Sequence, residues 1–190
     1  MVNLGIKDKF KKEVKNLKDY IVLVIVNSQI YQKSNLEILN FLVNEQKIPG
    51  VYVTLNKPFE VMQRLLKQNK IDSRFVIFID CITKAAEENK RVKNCLYIGS
   101  PEKLSDISVA MDQAVKALPT KEKFIFFDSI NTLGVFNKPG TVARFVYFLA
   151  SKIREWKIKG VIISIKKGSD EALINELVQF CDARIDLGGV

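Results

Sequence analysis

Residues 21–26 read Ile-Val-Leu-Val-Ile-Val, and they lead directly into Asn-Ser-Gln-Ile-Tyr-Gln-Lys-Ser at residues 27–34. Further apolar runs occupy residues 75–79, 124–127 and 161–165. Runs without polar alternation are typical of parallel strands that helices cover on both faces. Helix-like segments separate these runs along the chain. The sequence therefore predicts an α/β fold of three layers, α/β/α, with a mostly parallel central sheet.

The remaining elements follow from apolar spacing and from the positions of Gly and Pro. Shorter strands are predicted at residues 51–55, 95–98 and 183–187, and residues 134–140 are predicted to form a loop. Without a repeat or linker, residues 1–190 are predicted to form one domain, a basic amphipathic N-terminal helix (1–19) followed by an α/β core (20–190). Helices are predicted at residues 7–19, 35–46, 58–68, 83–91, 104–118, 141–157 and 171–180.

The composition excludes several classes of protein. The chain has 190 residues, of which 47% are apolar and 27% charged, as is ordinary for a globular protein. No apolar run approaches the roughly 18 residues of a membrane span, and the first residues lack the apolar region of a signal peptide. A cytoplasmic protein without a transmembrane segment is expected.

Histidine is absent and cysteine is sparse. The absence of histidine excludes Ser–His and Cys–His nucleophile pairs and zinc–histidine sites. Cys81, Cys95 and Cys181 form no Cys-x-x-Cys pair, so they are expected to be buried, reduced thiols.

The net charge of +9 is compatible with nucleic acid, an acidic protein or an anionic membrane surface as a partner. Lysines are especially dense in residues 7–18. A basic amphipathic helix there would lie on a membrane or dock to a partner. Alternatively, its apolar side chains Phe10, Val14 and Leu17 pack on the chain's own core, which is the expected arrangement.

Residues 27–34 have the spacing of the phosphate-binding P-loop, G-x-x-x-x-G-K-[ST], which also follows a strand and precedes a helix. Lys33 and Ser34 match this pattern, whereas Asn27 and Gln32 replace its two glycines. Those glycines allow backbone N–H groups to curl around phosphate oxygens.

Residues 34–37, Ser-Asn-Leu-Glu, also have the pattern of a helix capping box. Ser34 would then satisfy free N–H groups at the start of a helix. Lys33 would be a solvated turn lysine. Capping alone and a residual phosphate contact are therefore both open interpretations of this segment.

A second strand end carries an acidic residue that is typical of nucleotide sites. Residues 124–127 are followed by Asp128 and Ser129, which resembles a Walker B strand whose carboxylate holds Mg²⁺ through water. The structural alternative is that Asp128 accepts hydrogen bonds from backbone N–H groups or from Ser129. Asp80, after residues 75–79, is expected to be a helix cap or strand-end residue.

In combination, four segments of the chain resemble the RecA-superfamily ATPases of the KaiC-like type that is common in archaea. These are residues 21–34, residues 48–62 (IPGVYVTLNKPFEVM), residues 124–133 (FIFFDSINTL) and residues 180–187 (FCDARIDL). The resemblance extends over residues 20–190 and implies a RecA-like P-loop NTPase fold.

The resemblance also implies that two functional features of these ATPases are missing from this sequence. The catalytic glutamates of these ATPases would fall at Asn56 and Lys57, and a missing catalytic base typically costs about 10²–10⁴-fold in rate. Together with the missing glycines, this indicates a degenerate member with no catalytic residue, in which neither ATP nor Mg²⁺ is an expected cofactor. The resemblance implies vestigial nucleotide-binding positions at Asn27, Gln32, Lys33, Ser34, Asp128 and Ser129, with Asp128 as the candidate metal ligand.

Three functions fit these features. The first is an inactive ATPase homologue that regulates or assembles with a protein partner, a paralogue or further copies of itself. The second is an ATP-binding sensor with little hydrolysis, which would use Lys33, Ser34 and Asp128. The third is a nucleic-acid-binding module, although few aromatic residues are interspersed with the basic ones.

Overall fold

The computed structural model describes residues 5–83, 92–166 and 171–187. In these residues seven strands form one sheet, in which every pairing is parallel. The strands are β1 (Tyr20–Val26), β2 (Gly50–Thr54), β3 (Val76–Asp80), β4 (Cys95–Tyr97), β5 (Phe124–Asp128), β6 (Lys159–Ile165) and β7 (Ala183–Asp186). Their order across the sheet is β4-β3-β2-β5-β6-β1-β7. The predicted parallel α/β architecture is confirmed.

Helices cover both faces of this sheet. They are α1 (Ile6–Val14), α2 (Tyr31–Asn40), α3 (Phe59–Gln68), α4 (Leu104–Ala117), α5 (Ile130–Phe136), α6 (Pro139–Trp156) and α7 (Glu171–Val178). A π-helical turn, Phe41–Glu45, extends α2, and a short 3₁₀ turn, Ser73–Phe75, precedes β3. Within the described residues, none of these helices combines the length and apolarity needed to cross a membrane.

Two hydrophobic cores explain why the strands read as unbroken apolar runs. Alternate residues of a strand point to opposite faces of a sheet. In β1, Val22 and Val24 pack in the core beneath α1, α2 and α3. Leu23 and Ile25 pack in the core beneath α4, α5, α6 and α7. Since both faces are buried, no position of β1 can be polar at low cost.

The basic N-terminal helix packs against its own domain core. Ile6, Phe10 and Val14 are buried, and the Phe10 ring meets Phe41 edge-on with 5.9 Å between centroids. The expectation that its apolar face packs on the chain's own core is confirmed. The helix is shorter than predicted, because residues 15–19 form the turn that leads into β1.

The predicted loop at residues 134–140 is wrong. Gly134 lies within α5, and Gly140 lies in the first turn of α6. Helix α5 forms despite its glycine because Ile130 and Leu133, three residues apart, are both fully buried. The stabilisation from burying these two side chains exceeds the roughly 1 kcal/mol by which a glycine destabilises a helix. The helix predicted at residues 83–91 falls almost wholly outside the described residues.

The three cysteines are free thiols. Cys81 and Cys95 are buried, as predicted, and Cys181 is half-buried. Burial raises the pKa of Cys95 and of Cys181 to about 12, so these thiols stay protonated at neutral pH.

Gly50→Ala and Gly134→Ala are expected to change stability in opposite directions. A Cβ at Gly50 would lie 2.4 Å from the buried ring of Phe124, so overpacking should cost about 1–3 kcal/mol. A Cβ at Gly134 meets no atom within 4 Å, and alanine in this helix should add about 0.5–1 kcal/mol. Urea denaturation of both variants measures the difference. Equal stability of Gly50→Ala and the wild type would contradict the close contact of β2 with Phe124.

Candidate functional site

The candidate site lies at the carboxyl edge of the sheet, where parallel α/β folds bind ligands. Residues 27–30 follow β1, and Asn56 and Lys57 follow β2. Thr54 and Asp128 are register partners at the ends of β2 and β5. The fold thus brings together the segments that the sequence pattern singled out.

The segment after β1 is a tight turn rather than an open loop. The backbone N–H of Ile30 donates to Asn27 Oδ1 at 3.0 Å, and α2 begins at the next residue, Tyr31. The backbone N–H of Ser34 donates to the Ile30 carbonyl at 2.8 Å, as in any helical turn. Asn27 thus occupies the position of the first P-loop glycine, and its side chain holds the turn closed through this hydrogen bond.

The predicted capping box is wrong. Helix α2 starts three residues before Ser34, and its N-cap, Ile30, makes no side-chain cap bond. Ser34 is instead fully buried within the helix, and its hydroxyl has no hydrogen-bond partner among the described residues. The capping pattern fails because the Asn27 turn starts the helix earlier than the pattern requires.

Lys33 and Gln32 lie on the exposed side of α2. The side chain of Lys33 is 69% exposed, and its Nζ lies 3.8 Å from Glu37 Oε1, one helical turn away. An exposed pair of this kind contributes little to stability.

Asp128 is the centre of the site. It is 1% exposed, at the end of the central strand β5. The Tyr31 hydroxyl donates a hydrogen bond to Asp128 Oδ1, and the Tyr52 hydroxyl donates one to Asp128 Oδ2. Both carboxylate oxygens are therefore engaged by tyrosines, one from the start of α2 and one from the middle of β2.

Further polar side chains surround Tyr31. Asn56 Nδ2 lies 2.8 Å from the Tyr31 hydroxyl and 3.3 Å from Ser129 Oγ, and it donates to both oxygens. The Thr132 hydroxyl donates to Asn56 Oδ1. The ammonium of Lys57 lies 4.8 Å from the centre of the Tyr31 ring, within cation–π range. Asn56 and Lys57, the positions of the expected glutamates, thus both contact Tyr31.

The pKa shifts in this cluster follow from burial. Burial raises the pKa of Asp128, while hydrogen bonds from Tyr31 and Tyr52 and the charge of Lys57 act against that rise. Burial, followed by the charge of Asp128, raises the pKa of Tyr31 and of Tyr52. Both phenols therefore remain protonated donors at neutral pH.

The structural alternative for Asp128 named the wrong donors, since tyrosine hydroxyls, rather than Ser129, bind its carboxylate. The alternation of side chains along strands is the feature of the sequence that could have indicated Tyr52 as a partner of Asp128. Tyr52 is the register partner of Phe126, with stacked rings 5.0 Å apart, and Asp128 lies two residues further on the same face. Asp80 is a strand-end residue, as expected, and accepts from the N–H groups of Phe59 and Ile82 at 2.8 Å.

Residues 43–187 match the model of a protein family described as a family of unknown function (DUF7504). The chain belongs to this family. The matched region includes Tyr52, Asn56 and Asp128, whereas Tyr31 lies before it. No curated protein matches the chain.

Among solved structures, the chain is similar to a KaiC-like protein, PH0186, from the hyperthermophilic archaeon Pyrococcus horikoshii OT3. The TM-score is 0.62 at 15% sequence identity, over 89% of this chain and 72% of the other. At this identity the similarity concerns the fold. The chain therefore has the KaiC-like, RecA-like fold that its sequence resembles.

Tyr52→Phe is expected to destabilise the chain by about 1–3 kcal/mol, because it leaves one oxygen of a buried carboxylate without its donor. The matched control is Tyr147→Phe, whose side chain is 58% exposed and which should stay within about 0.5 kcal/mol of the wild type. Urea denaturation measures both. A Tyr52→Phe variant as stable as the control would show that this hydrogen bond carries no net stability.

Asp128→Asn tests the protonation of the cluster. A carboxyl group whose pKa is raised on folding contributes stability below its unfolded pKa and loses that contribution as pH rises through its folded pKa. The free energy of unfolding of the wild type, relative to Asp128→Asn, should therefore fall as pH rises above the ordinary value of 3.8. Denaturation of both proteins across this range measures the difference. A difference that grows with pH would mean that the tyrosine hydrogen bonds outweigh burial.

Proposed function

We propose that this chain is a non-catalytic protein of the RecA/KaiC-like fold, which acts as a regulatory or assembly module through contacts with a protein partner, a paralogue or another copy of itself. One observation carries the proposal. Both oxygens of Asp128, the acidic residue at the Walker B-like position, accept hydrogen bonds from the buried tyrosines Tyr31 and Tyr52.

The residues at this edge do not fit a Mg²⁺–nucleotide complex. Mg²⁺ requires oxygen ligands in near-octahedral geometry and retains several waters. The space that Asp128 shares with Tyr52, Asn35 and Lys57 has a volume of about 10 Å³, roughly enough for one water and too little for a phosphate. Within the described residues, no group of three acidic, cysteine or histidine side chains offers another metal site.

Part of the backbone after β1 is already hydrogen-bonded and is not available to a phosphate. A P-loop directs several free N–H groups at the phosphates. Here the N–H of Ile30 is bound by Asn27 and the N–H of Ser34 by a helical carbonyl. The ammonium of Lys33 is in solvent beside Glu37.

Nothing at the glutamate positions can act as a base. The carboxamide of Asn56 binds Tyr31, Ser129 and Thr132, and an amide is too weak a base to take a proton from water. Lys57 brings a positive charge to the ring of Tyr31. The sensor alternative is disfavoured as well, because Lys33 is exposed whereas Ser34 and Asp128 are buried, so the three share no open cavity.

Exposed apolar side chains on α5 and α6 support a role in protein contacts. Val135 and Phe136 are adjacent in the sequence of α5 and are 73% and 47% exposed, and Tyr147 of α6 is 58% exposed. Contiguous exposed apolar groups are typical of interaction surfaces, whereas isolated ones are common on any protein.

Titration of labelled ATP with Mg²⁺ tests the proposal. We expect no saturable binding up to about 100 μM ATP, which corresponds to roughly −5.5 kcal/mol, and no hydrolysis. Lys33→Ala is the matched control, and its signal should equal that of the wild type. Binding tighter than this limit that disappears in Lys33→Ala would overturn the proposal in favour of a nucleotide sensor.

A further inference from the structure

A second concave feature lies at the opposite, amino-terminal edge of the sheet. It is an open cleft of about 870 Å³. Its lining comes from α1 and the turn that follows it, from the π-helical turn at Phe41–Glu45, and from Tyr20 and Lys159, the first residues of β1 and β6. The cleft is separate from the Asp128 site, which lies beyond the other end of the same strands.

The cleft carries positive charge that the described residues leave uncompensated. Lys12, Lys15 and Lys18 line it and are exposed, and none of them has an ion pair in the described part of the chain. Lys12 and Lys15 are three residues apart, so their side chains neighbour each other on one face of a helical turn.

Most acidic groups of the lining are already neutralised. Glu45 pairs with Lys7 at 2.8 Å and with Lys11 at 2.9 Å. Those hydrogen bonds, with Lys7 first, lower the pKa of Glu45. Glu122 pairs with Lys159 at 2.9 Å. Asp8 remains against the three free lysines, so the cleft keeps a net positive charge.

The lining of the cleft includes Tyr20, a tyrosine whose hydroxyl is unpaired in the part of the chain that the structure describes. Tyr20 is 2% exposed and lines the cleft, and its hydroxyl has no hydrogen-bond partner among the described residues. Buried hydroxyls in folded proteins nearly always have a partner. Burial raises the pKa of Tyr20, which keeps the hydroxyl protonated as a donor. This hydroxyl can therefore donate a hydrogen bond to an acceptor oxygen of a bound molecule.

The lining also contains an apolar surface. Val14, Phe41 and Ile48 are buried beneath it, and Leu17 is half-buried. An occupant therefore meets both lysine ammonium groups and hydrocarbon, which matches a chain with carboxylates on one side and apolar side chains on the other.

We propose that this cleft binds an acidic amphipathic peptide segment of a partner protein. Carboxylates of the peptide contact Lys12, Lys15 and Lys18, and one of its acceptor oxygens receives the hydrogen bond of Tyr20. Its apolar side chains pack on Leu17 and the surface around it. The inference rests on the proposed interaction role and specifies the chemistry of the partner.

Nucleic acid and membrane fit the cleft less well. Single strands are held by exposed aromatic side chains on which bases stack, and the aromatic residues of this lining, Tyr20 and Phe41, are both buried. A membrane-bound helix must expose an apolar face. The apolar face of α1, formed by Ile6, Phe10 and Val14, is buried in the core of the domain.

Fluorescence anisotropy tests the proposal with a labelled helical peptide that carries Glu on one face and Leu on the other. We expect saturable binding that weakens as salt rises. Replacing Lys12, Lys15 and Lys18 together by alanine should weaken it about tenfold, equivalent to about 1.4 kcal/mol. The matched control replaces Lys67, Lys138 and Lys166, exposed lysines outside the cleft, and should bind as the wild type does.

Tyr20→Phe separates a ligand contact from a structural one. If the hydroxyl serves the peptide, the variant should bind about fivefold more weakly while the free protein stays as stable as the wild type or becomes more stable. A loss of stability with unchanged peptide binding would contradict the assignment of this hydroxyl.

Three outcomes would overturn the proposal: no binding of the peptide, equal weakening by both triple variants, or tighter binding of single-stranded DNA or phosphatidylserine vesicles that is lost when the cleft lysines are replaced. None of these outcomes bears on ATP. Conversely, ATP binding that depends on Lys33 would replace the proposed regulatory or assembly role by that of a nucleotide sensor and leave the peptide result intact.

Discussion

A carboxylate buried at the end of the central strand imposes a constraint on everything around it. An isolated charge in such a place is costly, so it must receive hydrogen bonds from the protein. Asp128 receives them from Tyr31 and Tyr52. To supply them, α2 must begin close to the sheet edge, and β2 must pair with β5 in the register that aligns Tyr52 with Phe126.

The need to supply hydrogen bonds to Asp128 also explains the polar side chains at the carboxyl edge of the sheet. A KaiC-like arrangement of strands and helices is present, and a connected set of side chains occupies the carboxyl ends of β1, β2 and β5. Tyr31 links Asp128, Asn56 and Lys57 in one cluster. The polarity of this edge thus serves internal hydrogen bonding, whereas the uncompensated charge described above lies at the other edge. The two ends of the strands therefore differ in the charge that they expose.

The sequence predicted the architecture well because unbroken apolar runs have few alternatives to buried parallel strands. Its errors were local. Helix α5 was missed because Gly134 looks like a loop signal, while the buried contacts of Ile130 and Leu133 that support the helix are not visible in the spacing. The capping box failed because the side chain of Asn27 closes the preceding turn and moves the helix start.

The sequence indicated that Asp128, Asn56 and Lys57 would lie at one edge of the sheet, but it did not indicate their hydrogen-bond partners. Strand ends indicated Asp128, Asn56 and Lys57, since the carboxyl ends of parallel strands converge. The partnership of Tyr31 with Asp128 joins residues that are 97 positions apart, and it depends on where α2 begins. Register, helix start and side-chain reach are set by the whole packed chain, so a pairwise contact of this kind cannot be read from a motif.

The shared hydrogen bonds of Asp128 also have an evolutionary consequence. Replacing Tyr31 by phenylalanine alone would leave a buried carboxylate short of a donor. Replacing Asn56 by glutamate alone would bring a second carboxylate to the same cluster and remove the amide that binds Tyr31 and Ser129. The effects of substitutions at these positions are therefore expected to be non-additive, because Tyr31, Asn56 and Asp128 share one hydrogen-bond network. Strong epistasis of this kind restricts which single substitutions this edge of the sheet tolerates.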